Sequence, residues 1–269
     1  MTTILNGSTD DSPEVALEAA RRCEVPIAIY TIAHGDKANA INHFYHTLRE
    51  PARHYGFVDG YVTIGPDALV EMEACIARPG VIAATGISLN GRTMRDHTQP
   101  TLTEGGTLQG GLHALRPDFL DRLVARNIRL PIGLYRGDGL IGSMVLHNLD
   151  PLHVEWDQTR IAGSPGASFE IPVASLFRLR DLNRQFRRKV RQMRGQLENL
   201  AIRSIVYDKG YEGLPAYADE MIHAYLATHD LPGVPPLDRP FQALALRQIQ
   251  QFRRPAPELL APVLVHADK

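Results

Sequence analysis

Thiols, tryptophan and an excess of either charge are scarce in this chain. Only Cys23 and Cys75 occur among its 269 residues. Each lies in a helix-like segment without a second thiol nearby, which excludes a disulfide framework and a cysteine-built metal cluster. A reducing compartment, the cytoplasm, is the expectation. The 29 Lys and Arg nearly balance 30 Asp and Glu, for a net charge of -1. Binding to nucleic acid or an anionic membrane would therefore need a local patch. No apolar run approaches the ~18 residues of a membrane span, and the first residues lack the basic-then-apolar layout of a secretion signal. Neither a GxSxG elbow nor a Cys/His nucleophile arrangement is visible. The glycines at 105, 106, 110 and 111 do not precede a helix in the manner of a phosphate loop and have no Lys among them. There is no internal repeat.

Hydrophobic residues make up 44% and charged residues 22%, so the chain is globular and long enough for a substantial core. Its first half alternates strand and helix patterns. A strand at Thr2 to Asn6 leads through the Gly7-Ser8-Thr9-Asp10-Asp11 turn to a helix over Ser12 to Cys23, with Pro13 suited to the first helical position. A buried strand is expected at Pro26 to Ile32, then a helix with Ala38, Ile41, Tyr45 and Leu48 on one face. Phe57 to Ile64 reads as a strand interrupted at Gly60. Pro66 to Arg78 reads as a helix with Leu69, Met72 and Ile76 inward, and Val81 to Ile87 as a strand. Such alternation predicts an α/β layer structure with a mostly parallel, twisted sheet flanked by helices. Ser88 to Gly111 reads as a long loop, followed by a strand at Leu112 to Leu115 and helices at Pro117 to Asn127 and Gly139 to Leu149. His153 to Val173 has β character, broken by a turn at Gly163-Ser164-Pro165-Gly166. Beyond it, helices are expected near 176–203, 214–228 and 239–253, forming a C-terminal extension over 176–269 on a domain of 1–175.

Several residues could carry chemistry. Asp10 follows a strand, where α/β proteins bind ligands, although a turn and helix cap would explain it equally. Asp36 and Lys37, with Asn39 and Asn42, could place an ammonium and amides beside a phosphate at a helix start; a solvated helix start is the alternative. Asp59 sits between apolar strand residues, where a carboxylate is costly unless it serves a ligand or finds a partner. Asp138 could cap the helix after it or act as a general base. Segment 178–194 carries Arg178, Arg180, Arg184, Arg187, Arg188, Lys189, Arg191 and Arg194 against one acid, Asp181. Such a cationic helix suits phosphate, as a pyrophosphate or a membrane surface, with a solvated helix face as the alternative; the absence of interleaved aromatics and the near-zero net charge argue against nucleic acid. His43 and His46 share a helix face but lack an acidic or thiol companion at ligand spacing, so they read as surface histidines.

Taken in order, these segments resemble glycosyltransferase family 2, inverting nucleotide-sugar enzymes of the GT-A fold. Asn6-Gly7-Ser8-Thr9-Asp10-Asp11-Ser12 is similar to the family's "DDGSTD" turn, and Asp36 to Asn42 resembles its "GKxxAxN" helix start. Val58 to Leu69 resembles the "DxDxxxxPxxL" segment, with Tyr61 in place of the second acid. Gly110 to Arg116 resembles the acceptor-side "GxxxaxR" strand, and Gly137-Asp138 the "ED" pair. The basic stretch at 187–195 is a loose relative of the "QxxRW" region. The resemblance implies a donor site of Asp10, Asp36, Lys37, Asn42, Asp59, Arg188 and Arg191, with Asp138 as the catalytic base. It also implies a divalent metal, magnesium or manganese, on Asp59; the loss of the second acid leaves a metal-independent site as the alternative. The acceptor would be a glycan, a lipid-linked molecule or a small molecule. Family members carry a strand and a helix ahead of the "DDGSTD" strand, so the resemblance implies an N-terminally incomplete domain. The rival expectation is a non-catalytic, truncated relative that binds an anionic partner, such as the inner membrane face, through helix 178–194.

Overall fold

The computed structural model describes residues 1–90, 105–172 and 179–267, with the side chains of 179–184 outside that description. Most of the expected loop at 88–111, the expected 175/176 domain boundary and the side chains of Arg178, Arg180 and Arg184 therefore lie outside the described residues.

Two sheets form. In the first, β1 (Thr2–Asn6) pairs in parallel with β2 (Ala28–Ile32), and β8 (Val263–Ala267) runs antiparallel along β2's other edge. Helix α1 (Ser12–Arg22) crosses between β1 and β2 and packs Ala16, Leu17 and Ala20 against Leu5, Ile27 and Ile29. The second sheet has the order β3-β6-β5-β7-β4 and comprises β3 (Tyr55–Val58), β4 (Thr63–Ile64), β5 (Ala83–Ser88), β6 (Leu112–Leu115) and β7 (Ile161–Glu170).

The α/β class holds, but the sheets are mixed. Among the described strands, only β1–β2 and β5–β7 pair in parallel, while β6 is antiparallel to both neighbours and β4 to β7. Apolar alternation fixes which face a residue takes and carries no information about strand direction, so the mostly parallel expectation overreached. The Gly163 to Gly166 turn is likewise absent. Strand β7 runs through it, pairing Gly163 with Thr85 and Ser168 with Ile87, so the residues between form a bulge opposite Gly86. Pro165 sits there without breaking the ladder elsewhere, and Ser164 donates to Glu71 at 2.6 Å.

Period-two alternation sorts the second sheet's faces. Leu112 and Ala114 of β6 join Ala84 and Phe169 against Met72, Cys75 and Ile76 of α3 (Ala68–Ile76). Leu69 points outward instead, 54% exposed, because Ala68, Met72 and Cys75 already define the buried stripe. The opposite face, with Leu115, carries the main core. It packs against α2 (Lys37–His43), its π-helical continuation (Phe44–Leu48), α4 (Pro117–Ala125), α5 (Gly137–Leu146), α6 (Leu179–Lys209) and α7 (Ala218–Leu226). Fully buried Phe119, Leu120, Ile141 and Leu197 belong here, each contributing roughly 1.5–3 kcal/mol by leaving water. Helix α8 (Arg239–Gln250) lies against α6 through Ala245, Val190 and Met193. No described helix is long and apolar enough to cross a membrane.

Candidate functional site

Three charged side chains from distant parts of the chain meet above β6. Lys37, the first residue of α2, places Nζ 2.8 Å from Asp59 Oδ1 and 3.2 Å from Asp138 Oδ1. Asp59 follows β3, and its other oxygen accepts a hydrogen bond from the Tyr61 hydroxyl at 3.0 Å. Asp138 is in the first turn of α5, where a carboxylate also meets the positive end of the helix. Burial works to lower the Lys37 pKa, but Asp138 and Asp59 outweigh it and hold the ammonium above its ordinary range. Burial, reinforced by Asp59, pushes the Tyr61 phenol up to about 12.

Local structure explains how these groups are held together. Asp36 caps α2 by accepting from Asn39 N at 2.7 Å, and its second oxygen accepts from Gly133 N at 2.6 Å. One carboxylate thus fixes both the helix that starts with Lys37 and the segment leading to Asp138. The far side of that segment is held by α6. Arg194 donates to the Gly133 carbonyl and, at 2.9 Å, to Glu198, while Glu198 accepts from the backbone N–H groups of Tyr135 and Arg136 at 3.0 and 3.2 Å. Residues 133–136 are strapped from both ends. Burial raises the Glu198 pKa even though Arg194 works against it.

Beneath the cluster lies a wet-side chemistry set in a dry floor. His113, in the middle of β6, stacks on Phe57 at 4.9 Å, and its Nδ1 lies 3.2 Å from the Gln109 carbonyl. Burial drives its pKa to about 4, so the ring is neutral near pH 7. His113 Nε2 and the Tyr45 hydroxyl are buried without a hydrogen-bond partner among the described residues, as is Asp138 Oδ1, whose approach to Lys37 is an ion pair only. His113 and Tyr45 both feel the Asp138 charge, which with burial raises the Tyr45 pKa. Gly110 closes the other side of Asp138. A Cβ there would fall 1.9 Å from Asp138 Oδ2, so only glycine permits this approach.

The other expected site residues are placed as follows. Asn42 is buried and reciprocally bonded to Leu130, accepting from its N–H at 2.9 Å and donating to its carbonyl at 2.8 Å. Its amide is occupied by the fold. Asp10 is exposed and turns to Ser12, accepting from its hydroxyl at 2.6 Å and its N–H at 3.2 Å, which holds the carboxyl below its usual range. On α6, Arg187, Arg188 and Arg191 are exposed, and Arg191 lies over the Tyr135 ring at 5.5 Å. Arg194 is consumed by the strap, and Lys189 pairs with Asp238 at 3.0 Å. His46 turns Nε2 to the Ile128 carbonyl at 3.0 Å, and burial lowers the pKa of both His43 and His46.

Two elements escaped the sequence reading. Glu198 carries a signal in retrospect, an acid four residues after Arg194 and flanked by the buried Leu197, Ala201 and Ile202. Arg136 lies across Gly195, where a Cβ would come within 2.6 Å of its Nε. Behind α5 a cavity of about 580 Å³ is lined by Gly139, Ser143, Trp156, Asn199, Arg203 and Tyr207. Buried His147 orders its aromatic wall, meeting Trp156 edge-on at 5.3 Å and Tyr207 at 5.7 Å.

The residues around Asp59 do not make up a metal's ligand set as they stand. No group of three or more His, Cys, Asp or Glu suited to a metal occurs among the described residues. An ammonium already bridges the two carboxylates.

No family model matches the chain, and no curated protein matches it either. Among solved structures it is similar to the mannosyltransferase PcManGT from Pyrobaculum calidifontis in complex with GDP-Man and Mn2+, with a TM-score of 0.55 and 16% identity over 93% of this chain and 71% of that one. The fold of the chain is thus similar to that of this mannosyltransferase.

Proposed function

We propose that the protein is an inverting glycosyltransferase of the GT-A type that moves a sugar from a nucleoside-diphosphate donor to an acceptor hydroxyl. The convergence of Lys37, Asp59 and Asp138 carries this reading. Such a transfer needs a base for the incoming hydroxyl and a fixed positive charge for the departing diphosphate. Asp138 takes the acceptor proton as the acceptor oxygen bonds to the sugar's anomeric carbon. The bond from that carbon to the diphosphate oxygen breaks on the opposite face, and its electron pair leaves with the diphosphate. Lys37 has three N–H donors and stands within 3.2 Å of both carboxylates, and a phosphate oxygen can take one of these donors. Gly110 and the strap over 133–136 hold Asp138 in place, a role for which small displacements are costly.

Asp36 and Asn42 support this site by positioning: the first fixes Lys37 and Gly133, the second fixes Leu130. The exposed Arg188 and Arg191 lie on the helix that holds the strap and face solvent, where a donor phosphate can reach them. Turnover of nucleotide sugars by Asp138→Asn tests the assignment. A fall of about a thousandfold or more is expected, while a rate within a few fold of the parent refutes Asp138 as base.

A further inference from the structure

We propose that this site meets the charge of its donor diphosphate with side-chain cations, Lys37 together with Arg136 and Arg191, and takes no divalent metal. The inference rests on the transferase reading for its ligand, but its metal half stands on the geometry alone. Magnesium and manganese seek about six oxygen ligands in near-octahedral array. Here both oxygens of Asp59 are engaged, Oδ1 by the Lys37 ammonium at 2.8 Å and Oδ2 by the Tyr61 hydroxyl at 3.0 Å. Asp138 Oδ1 lies 3.2 Å from the same ammonium without a hydrogen bond to it, and its Oδ2 occupies the space a Cβ on Gly110 would take. A dication at Asp59 would have to displace Lys37, or sit beside its positive charge with a neutral phenol as neighbour.

Two further cations lie along the segment that leads to Asp138. Arg136 belongs to that segment and lies across Gly195 of α6, and Arg191 of α6 lies over the ring of Tyr135 in the same segment. Both are exposed at their ends, and guanidinium forks match phosphate oxygens in pairs. Counting formal charges, Lys37, Arg136 and Arg191 balance Asp36, Asp59 and Asp138, so the cluster carries no net negative charge that calls for an added dication. In a site built around a metal, two carboxylates would instead await a dication, with no ammonium between them.

Two measurements on the full chain test the proposal. In the first, Mn2+ is titrated into the free protein and the aqueous Mn2+ signal is followed by electron paramagnetic resonance. No stoichiometric site is expected in the parent, whereas Lys37→Met, which removes the ammonium but keeps its stem, should acquire one. In the second, GDP and UDP are titrated calorimetrically with EDTA and then with millimolar MnCl2. The affinity of whichever nucleotide binds should agree within about threefold between the two conditions, and Lys37→Met and Arg191→Ala should each weaken it by about tenfold. A Mn2+ site in the parent that is lost in Asp59→Asn overturns the metal-free assignment, as does a tenfold gain in nucleotide affinity on adding Mn2+ that Asp59→Asn abolishes. If neither nucleotide binds under either condition, the transferase reading falls and takes the diphosphate half with it, while the resonance titration still decides the metal half. Circular dichroism of each variant separates loss of binding from loss of fold.

Discussion

Replacing Glu198 with Ala tests the strap that sets the site. The side chain is fully buried and accepts from Arg194 Nε at 2.9 Å, from Tyr135 N at 3.0 Å and from Arg136 N at 3.2 Å. Truncation leaves two backbone N–H groups without an acceptor and strands a guanidinium whose side chain is only 16% exposed. Each lost acceptor costs about 1–3 kcal/mol, and breaking a buried ion pair by removing one partner costs about 3–5 kcal/mol. These contributions overlap, so about 3–5 kcal/mol of destabilisation is expected for Glu198→Ala in urea unfolding followed by circular dichroism, with an unchanged m-value. Burial already disfavours the ionised carboxyl, so Glu198→Gln, which keeps an acceptor for the strap, should lose only about 1–2 kcal/mol. Because the stranded guanidinium accounts for much of the loss, Glu198→Leu combined with Arg194→Met should cost less than the two single changes added together. A cost below about 1 kcal/mol for Glu198→Ala, or strict additivity in the cycle, would refute the coupling.

Three further outcomes follow from the same geometry. His113 has a folded pKa of about 4, below its unfolded value of ~6.5, so it contributes stability that is present above pH ~6.5 and lost as pH falls toward 4, up to about 3 kcal/mol. His113→Phe should flatten the difference in urea midpoint between neutral pH and pH ~5, and an unchanged slope would show that another group sets it. Gly110→Ala must push Asp138 aside, so transfer should fall by about a hundredfold with the fold intact by circular dichroism; full activity would separate Asp138 from the chemistry. Asn42→Leu should cost about 2–4 kcal/mol by orphaning both polar groups of Leu130, yet leave nucleotide affinity in calorimetry within about twofold. Weakened binding at full stability would return Asn42 to the donor site.

The segments that meet in the site were legible as candidates because each breaks a local pattern: Lys37 opens a helix, Asp59 interrupts an apolar strand, and Asp138 sits in a glycine-rich helix start. Their meeting was not legible, since α2, the end of β3 and the start of α5 are brought together only by tertiary packing. Asp36 and Asn42 show the converse. A polar residue at a helix start looks the same whether it awaits a ligand or bonds a distant backbone, and these two bond Gly133 and Leu130. The helices expected near 176–203, 214–228 and 239–253 are found at 179–209, 218–226 and 239–250, the first running six residues further than expected. Strand direction and the β7 bulge did not follow from periodicity, because pairing is non-local and Gly-Ser-Pro-Gly is as compatible with a bulge as with a turn. The division at 175/176 remains a proposal. The strand at 263–267, within the expected helical extension, lies in the first sheet beside β2.

That last pairing has a consequence for the order in which the molecule is made. Strand β2 ends at Ile32 and its outer neighbour begins at Val263, so the ribosome must add the whole intervening chain before this edge can be covered. At about 5–20 residues per second the wait is roughly 10–50 s. Throughout it, Ala28 to Ile32 offers an unpaired strand edge to any other nascent chain. The same strand pair ties residues 28–31 to 263–267, and the Leu259 and Leu260 carbonyls add bonds from His34 N and Asn39 Nδ2 at 2.8 Å each. The helix that presents Lys37 is therefore fastened by residues more than two hundred positions downstream of it, and the site cannot be fixed in place until that segment has been made.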